Sequence, residues 1–324
     1  MIKGMLLKGH ASMQAKEADR EKEKLGILRA GSGGCYIEDT DKVYGNCPRL
    51  SLLRLEGKQT PPSFNTYLNF VAGFSHEDNL LNLFIESEDI KTVEIWGKKD
   101  HWAVNSDKLI VHDTSLEYKL DLEVLSGRPD FLLTTKNDKK ILIEAKATIS
   151  SDKAEKTSSY PLIYAICQAA TYNMMLGGDI ITYVVYGNYA NYGEFIGKWD
   201  KRNACKVDKK TRTPNIEYRE FPSGVYKKVP CAIHTYEVSI AKDGRIYIID
   251  ERGKIMETPL TTQGIKDYYN RLLVKGKEYK LLGPRPEEKE LYGKMKYSPC
   301  AYCDYKDKCT AYDNNLMTYD QFIG

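Results

Sequence analysis

Two apolar segments separated by a polar turn mark the centre of the chain. Phe131, Leu132 and Leu133 follow Asp130, residues 134–140 are polar, and Ile141, Leu142 and Ile143 lead into a run ending at Ala147. Apolar runs of this length around a turn predict a β-hairpin. Alternation along the returning strand puts Glu144 and Lys146 on one face. Segments 92–96, 108–112 and 118–125 predict strands leading into this hairpin, and 180–189 predicts a strand after it. A further hairpin over 235–250 turns at Asp243-Gly244.

Helical spacing predicts the elements between them. Pro61 and Pro62 precede a helix over 63–85, with Phe64, Tyr67, Leu68, Val71 and Phe74 as its apolar stripe. His76 projects from a different face, one turn after Ala72 and Gly73, small residues that would let another group approach closely. Ser158, Ser159 and Pro161 signal a helix start, and Leu162, Ile163, Ile166 and Ala170 carry helical spacing to Leu176. Residues 261–274 predict a helix capped at Thr261 or Thr262. Residues 10–30 read as a charged helical arm, and a short helix follows Cys47-Pro48. The sum is an α/β fold with a mixed central β-sheet flanked by helices.

Charge and composition narrow the class. The 324 residues hold 48 Lys and Arg against 45 Asp and Glu, so the net charge of +3 makes local clusters matter more than the total. The most basic segment is 201–228, where Lys209, Lys210 and Arg212 lie near Tyr218, Phe221 and Tyr226. Interleaved cations and aromatics suit phosphate contact and base stacking along a single strand of DNA. A solvated insertion loop between strands has the same composition. No apolar run approaches the roughly 20 residues of a membrane span, so no membrane is expected as a partner. The charged residues at 3, 8 and 16–24 leave no secretory signal, which places the chain in the reducing cytoplasm and argues against a disulfide framework for its eight cysteines.

Gly127-Arg128-Pro129-Asp130 and Glu144-Ala145-Lys146 bring two carboxylates and a lysine to adjacent strands. Oxygen ligands of this kind hold Mg²⁺ or Mn²⁺ while a neighbouring cation helps hydrolyse a phosphodiester. An acid-x-Lys triplet alone is common as surface charge, but the apolar residues on both sides argue for a buried strand. Downstream, Gln168 and Tyr172 stand one helical turn apart on one face. They would equally serve as a polar helix residue and a packing ring. Leu80, where a second histidine would be required, excludes a His-Glu-x2-His zinc site at His76. Cys300, Cys303 and Cys309 are spaced for zinc or an iron-sulfur cluster, with Cys47 as the fourth ligand and Cys35 as the other candidate for that place. Cys167, Cys205 and Cys231 have no matching spacing.

In this order, His76, Pro129-Asp130, Glu144-x-Lys146 and Gln168-x3-Tyr172 resemble the PD-(D/E)XK nuclease superfamily in its RecB-like branch. The remote Cys47 joined to a C-terminal Cys-x2-Cys-x5-Cys is similar to the staple of AddB-type and CRISPR-associated RecB-like nucleases. The resemblance implies a restriction-endonuclease-like core over 35–280, an N-terminal arm over 1–34, and a C-terminal iron-sulfur cluster subdomain over 281–324, with 35–57 supplying one cluster cysteine. It implies that His76, Asp130, Glu144 and the Ala145 carbonyl bind Mg²⁺ or Mn²⁺ and that Lys146 orients water or stabilises charge. Gln168 and Tyr172 would position DNA, and Cys47, Cys300, Cys303 and Cys309 would hold a [4Fe-4S] cluster, with Zn²⁺ as the competing occupant. The implied activity is a DNA exonuclease acting on single strands or frayed ends, with 5′-to-3′ polarity, in recombination, repair, CRISPR adaptation or viral genome processing. A homo-oligomer, or recombination or CRISPR proteins, would be its partners. Two other classes remain open: a noncatalytic DNA-binding or assembly component with a nuclease fold, and a restriction-type endonuclease.

Overall fold

The computed structural model describes residues 25–58, 64–97, 106–148, 157, 160–188, 192–197, 220–221, 224–229, 232–286, 300 and 303–324. At 64–72, 188, 192–197, 220–221, 224–229 and 232 it describes the backbone alone. Among these residues the largest sheet has eight strands. They are β1 (Ile90–Trp96), β2 (Leu109–His112), β3 (Phe131–Thr135), β4 (Lys140–Thr148), β5 (Ile181–Asn188), β6 (Ala232–Ile240), β7 (Arg245–Ile249) and β8 (Ile255–Thr261). Their order is β8-β7-β6-β5-β4-β3-β1-β2. The β4/β5 and β1/β2 pairs are parallel and the others antiparallel, so the sheet is mixed.

The helices include α1 (Pro48–Leu55), α2 (Phe64–Glu86), α3 (Ile163–Met175), α4 (Thr262–Asp267), α5 (Lys306–Asp313) and α6 (Tyr319–Ile323); α2 and α3 flank the sheet, and α5 and α6 pack with α1 through Leu53, Cys309 and Phe322. A parallel β4/β5 pair needs a long crossover, and α3 lies in it. Strand alternation then decides which helix each side chain meets. Phe131, Leu133, Ile143, Ala145 and Val185 pack with Leu80, Leu81 and Ile85 of α2. Leu132, Leu142, Val184 and Tyr186 pack on the opposite side with Ile163, Ile166, Ala169 and Ala170 of α3.

Several expectations need correcting. Phe74, expected in the buried stripe of α2, is 44% exposed, whereas His76 is buried. The sheet-facing side of the helix at this point is the one that carries His76 and Leu80, two to six residues further on. Segment 118–125 is not one strand of the main sheet. It is split between strands Leu116–Lys119 and Val124–Gly127, which form a hairpin, and the second pairs in parallel with Leu28–Arg29. The split falls at Leu120-Asp121-Leu122-Glu123, where the Leu120 amide bonds back to the Glu123 carbonyl. Leu28–Arg29 is therefore extended, not the end of a helical arm; residues 1–24 of that arm lie outside the described residues.

The basic segment is only partly described, with Lys209, Lys210 and Arg212 outside the described residues. Its later part is strand: Gly224–Val229 pairs with Tyr192–Gly197 and Glu220–Phe221 in a small antiparallel sheet. The 261–274 helix begins as expected, with Thr261 Oγ1 accepting from the Gly264 amide at 2.9 Å. It then widens to π-helical geometry over Tyr268–Lys275. Within that turn two consecutive tyrosines are buried: Tyr268 Oη bonds Ser51 Oγ at 3.0 Å and Tyr269 Oη donates to the Ala30 carbonyl at 3.0 Å. Thr261→Ala removes the cap and is expected to lower stability by about 1 kcal/mol, read as a shift in the urea midpoint. Among the described residues no helix is long and apolar enough to cross a membrane.

Candidate active site and cysteine centre

β4 presents Glu144 and Lys146 on the α3 side of the sheet, because Leu142 on the same alternation packs there. Glu144 is 1% exposed. A carboxylate so buried stays ionised only with a counter-charge, and Lys146 Nζ supplies it through a direct ion pair to Glu144 Oε1. Burial pulls the Lys146 pKa down, but attraction to Glu144, then Asp130 and Tyr164, outweighs it and holds the ammonium above the ordinary lysine range. Lys146 is therefore a cation at neutral pH.

Asp130 precedes β3. Phe131 pairs with Ile143, so one further step along the antiparallel register sets Asp130 opposite Glu144. Its Oδ2 accepts a hydrogen bond from the Ala145 amide at 2.8 Å. Ala145 itself is buried against the α2 side. Sequence reasoning thus placed Asp130, Glu144, Ala145 and Lys146 together, and the structure brings them together.

His76 reaches the site from α2 and is 2% exposed. Burial holds its pKa below the ordinary imidazole value, while a backbone hydrogen bond at Val185 and the charge of Asp130 pull it partly back. The ring is accordingly neutral at pH 7, the form that binds a metal. The expected close approach at Gly73 is not found there, since a Cβ at Gly73 would meet nothing within 4 Å. It occurs at Gly187 of β5, where a Cβ would lie 2.4 Å from His76 Cε1 and Nδ1. The signal available in the sequence was a glycine inside the β-branched run of β5, where glycine weakens a strand unless another group needs the space.

Gln168 and Tyr172 share a face of α3, and Gln168 Nε2 donates to Tyr172 Oη at 3.5 Å. Tyr172 is 3% exposed. Burial, and then the charge of Glu144, hold its phenol well above the ordinary tyrosine range, so it stays protonated. Its ring packs under Gly127, where a Cβ would lie 2.7 Å from Tyr172 Cε1. The Gly127-x-x-Asp130 turn is thereby seated on α3. Gln168 is the more accessible of the two and lies beside Gly31, whose Cβ would stand 3.8 Å from Gln168 Nε2.

The cysteines separate into two groups. Cys47 stands at the start of α1, and burial pushes its thiol up to about 11; the Leu50 and Arg49 amides oppose this, and the nearby Cys309 and Cys300 add to it. Cys309 is buried on α5 with Leu53 and Phe322, and Cys303 follows Cys300 in a turn, amide to carbonyl at 3.4 Å. Cys35 belongs elsewhere: its Sγ lies 3.8 Å from the Thr261 carbonyl, and burial raises its pKa to about 12. Its electrostatic neighbour among the cysteines is the buried Cys167. Cys47, not Cys35, is the cysteine placed near Cys300 and Cys309. Ala301, Tyr302, Cys205 and Cys231 lie outside the described residues. None of the six described cysteines is in a disulfide.

The donor types suit the expected metals. Two carboxylates are oxygen ligands for Mg²⁺ or Mn²⁺, and thiolates suit iron-sulfur or zinc. Among the described residues, however, no three His, Cys, Asp or Glu side chains form a ready-made metal-binding group. At the carboxylate site the reason is visible. Glu144 is turned to Lys146, Asp130 is turned to the Ala145 amide, and His76 arrives from the α2 side of the sheet. These contacts engage one oxygen of each carboxylate, Glu144 Oε1 and Asp130 Oδ2.

No family model and no curated protein matches the chain. The chain is similar to a solved structure described as "Crystal structure of SSO0001", with a TM-score of 0.31 and 15% sequence identity over 58% of this chain and 75% of that one. A likeness at that level carries no argument about fold or function.

Proposed function

We propose that this chain is a metal-dependent deoxyribonuclease of the PD-(D/E)XK type in its RecB-like form, with a restriction-endonuclease-like core. The observation that carries the reading is the convergence of Asp130, Glu144 and Lys146 at the end of one hairpin, with Glu144 and Lys146 ion-paired in the interior. A purely structural ion pair would gain little from such burial, since an apolar pair of similar volume is often as stable. Strongly perturbed ionisable groups clustered in this way are a feature of functional sites.

Bound at Asp130, Glu144, His76 and the Ala145 carbonyl, Mg²⁺ or Mn²⁺ would act as a Lewis acid on the scissile phosphate and lower the pKa of water. The chain's own residues do the rest. Lys146, kept protonated by the two carboxylates, donates hydrogen bonds to water or to the charge developing on the phosphate, and does not serve as the base. Tyr172 keeps its proton and braces the turn before Asp130. Gln168 offers its amide to the DNA strand beside that turn. Cys47, Cys300, Cys303 and Cys309 hold a [4Fe-4S] cluster, with Zn²⁺ as the competing occupant, that ties residues 281–324 to α1. By resemblance the substrate is a single strand or frayed end, degraded as an exonuclease from 5′ to 3′.

The test is degradation of end-labelled single-stranded and duplex DNA by anaerobically purified protein with Mg²⁺, Mn²⁺ or EDTA, alongside Asp130→Asn. Metal-dependent shortening that Asp130→Asn removes is the expected result. DNA that is bound but left intact by a metal-loaded protein would overturn it in favour of a noncatalytic DNA-binding component. Cleavage of circular single strands would instead identify an endonuclease.

A further inference from the structure

Arg49, two residues after Cys47, carries a fixed charge and yet is only 4% exposed. A guanidinium is buried at acceptable cost only when its donors are matched. Here they are: Nε donates to the Gly283 carbonyl at 2.8 Å, Nη1 to the Cys309 carbonyl at 3.4 Å, and Nη2 to Asp313 Oδ1 at 2.6 Å. Its guanidinium carbon also lies 5.6 Å from the centre of the Tyr312 ring. Asp313 in turn accepts Arg285 Nη2 on Oδ2 at 2.7 Å. Two guanidiniums thus share one carboxylate, so these three side chains together carry one net positive charge.

We propose that Arg49 is a positioning residue for the four-cysteine centre, holding Cys309 of α5 against Cys47 of α1 and keeping a cation beside whatever the thiolates bind. The proposal rests on the reading of Cys47, Cys300, Cys303 and Cys309 as a metal centre. It goes beyond that reading because the Arg49 contacts are made to protein groups: Gly283, Cys309 and Asp313, 234 to 264 positions away, are tied to α1 through one side chain. The proposal requires these contacts to hold α5 against α1 in the metal-free chain as well as in the loaded one.

The sign of the electrostatic effect follows from the charge count. Four thiolates make a [4Fe-4S] centre an anion in both of its common states, and one-electron reduction makes it more negative. A nearby cation favours the reduced form and a nearby carboxylate opposes it. Arg49 and Asp313 act together mechanically but oppositely on the cluster.

Full-length protein, reconstituted anaerobically with iron and sulfide, would be compared with Arg49→Gln and Asp313→Asn. Two quantities would be read: amide hydrogen exchange of Lys306–Asp313 in metal-free protein, and the midpoint potential in a dithionite titration. Both variants should speed exchange by about tenfold or more, since each removes a charge-assisted hydrogen bond. Arg49→Gln should lower the potential and Asp313→Asn should raise it. Unchanged exchange in both variants, or potentials that move in the same direction, would overturn the proposal. If Arg49→Gln does not fold, Asp313→Asn alone decides, through faster exchange with a raised potential. Wild-type protein that takes up no iron would sink the cluster reading and with it the electrostatic half, while exchange in the metal-free chain would still decide the mechanical half.

Discussion

Glu144→Ala is expected to abolish metal-dependent DNA shortening and to destabilise the folded chain by roughly 3 kcal/mol, because it removes the directly paired one of the two carboxylates that balance a largely buried ammonium. Stability and activity can be separated by a compensating change. In Glu144→Gln with Lys146→Met both charges are gone, so most of the lost stability should return, whereas cleavage should not. Urea unfolding gives the first quantity and an end-labelled DNA assay the second. A double variant that stays active would remove both residues from the chemistry. The pH dependence has a definite sign: the folded Lys146 value lies above the ordinary one. Its contribution is complete below the ordinary lysine pKa and is lost only as pH rises through the folded value, so the lysine gives no acid sensitivity.

Gly187→Ala is the second large effect. The new Cβ would stand 2.4 Å from the His76 ring, a separation that forces the imidazole or the strand to move. Overpacking of this kind costs about 1–3 kcal/mol. If His76 is a ligand, displacing it should also weaken Mn²⁺ binding by roughly 10–100-fold, the scale seen when the support of a metal ligand is lost. Titration of Mn²⁺ followed by electron paramagnetic resonance reads this directly, and unchanged affinity would exclude His76 from the metal site. The acid side belongs to this residue. Its folded pKa lies below the ordinary 6.5, so its contribution to stability is complete above 6.5 and is lost as pH falls through the folded value. Metal affinity should fall over the same range as the ring protonates.

The β3–β4 hairpin was legible because every signal in it is local. An apolar run, a polar turn and a second apolar run define β3 and β4, and alternation alone puts Glu144 beside Lys146. The spacing of Gln168 and Tyr172 on α3 was equally readable, since helical periodicity fixes which residues share a face. Phe74 was placed on the buried side of α2 for a related reason, and it is exposed. Periodicity identifies two faces of a helix, but which one meets the sheet depends on what the sheet offers, and β5 offers the open space over Gly187.

Long-range decisions followed the same division. Cys47 and Cys35 are both plausible partners for Cys300, Cys303 and Cys309 in a linear reading. The fold separates them by putting Cys35 under Gly264 and the Thr261 carbonyl, and Cys47 at the start of α1 near α5. The contacts of Arg49 were invisible in a linear reading because its four partners lie more than 230 positions away in the chain.

The amino-acid sequence by itself determined the α/β elements, the identity of the ionisable residues and their local pairing, because these depend on propensity and period over a few residues. Only the tertiary structure decided which side of α2 is buried at His76, which glycine makes room for His76, which of Cys35 and Cys47 lies near Cys309, and that Arg49 joins α1 to α5. Each of these depends on how closely two distant backbones can pack and on which buried charge finds a partner, quantities that no single stretch of chain contains.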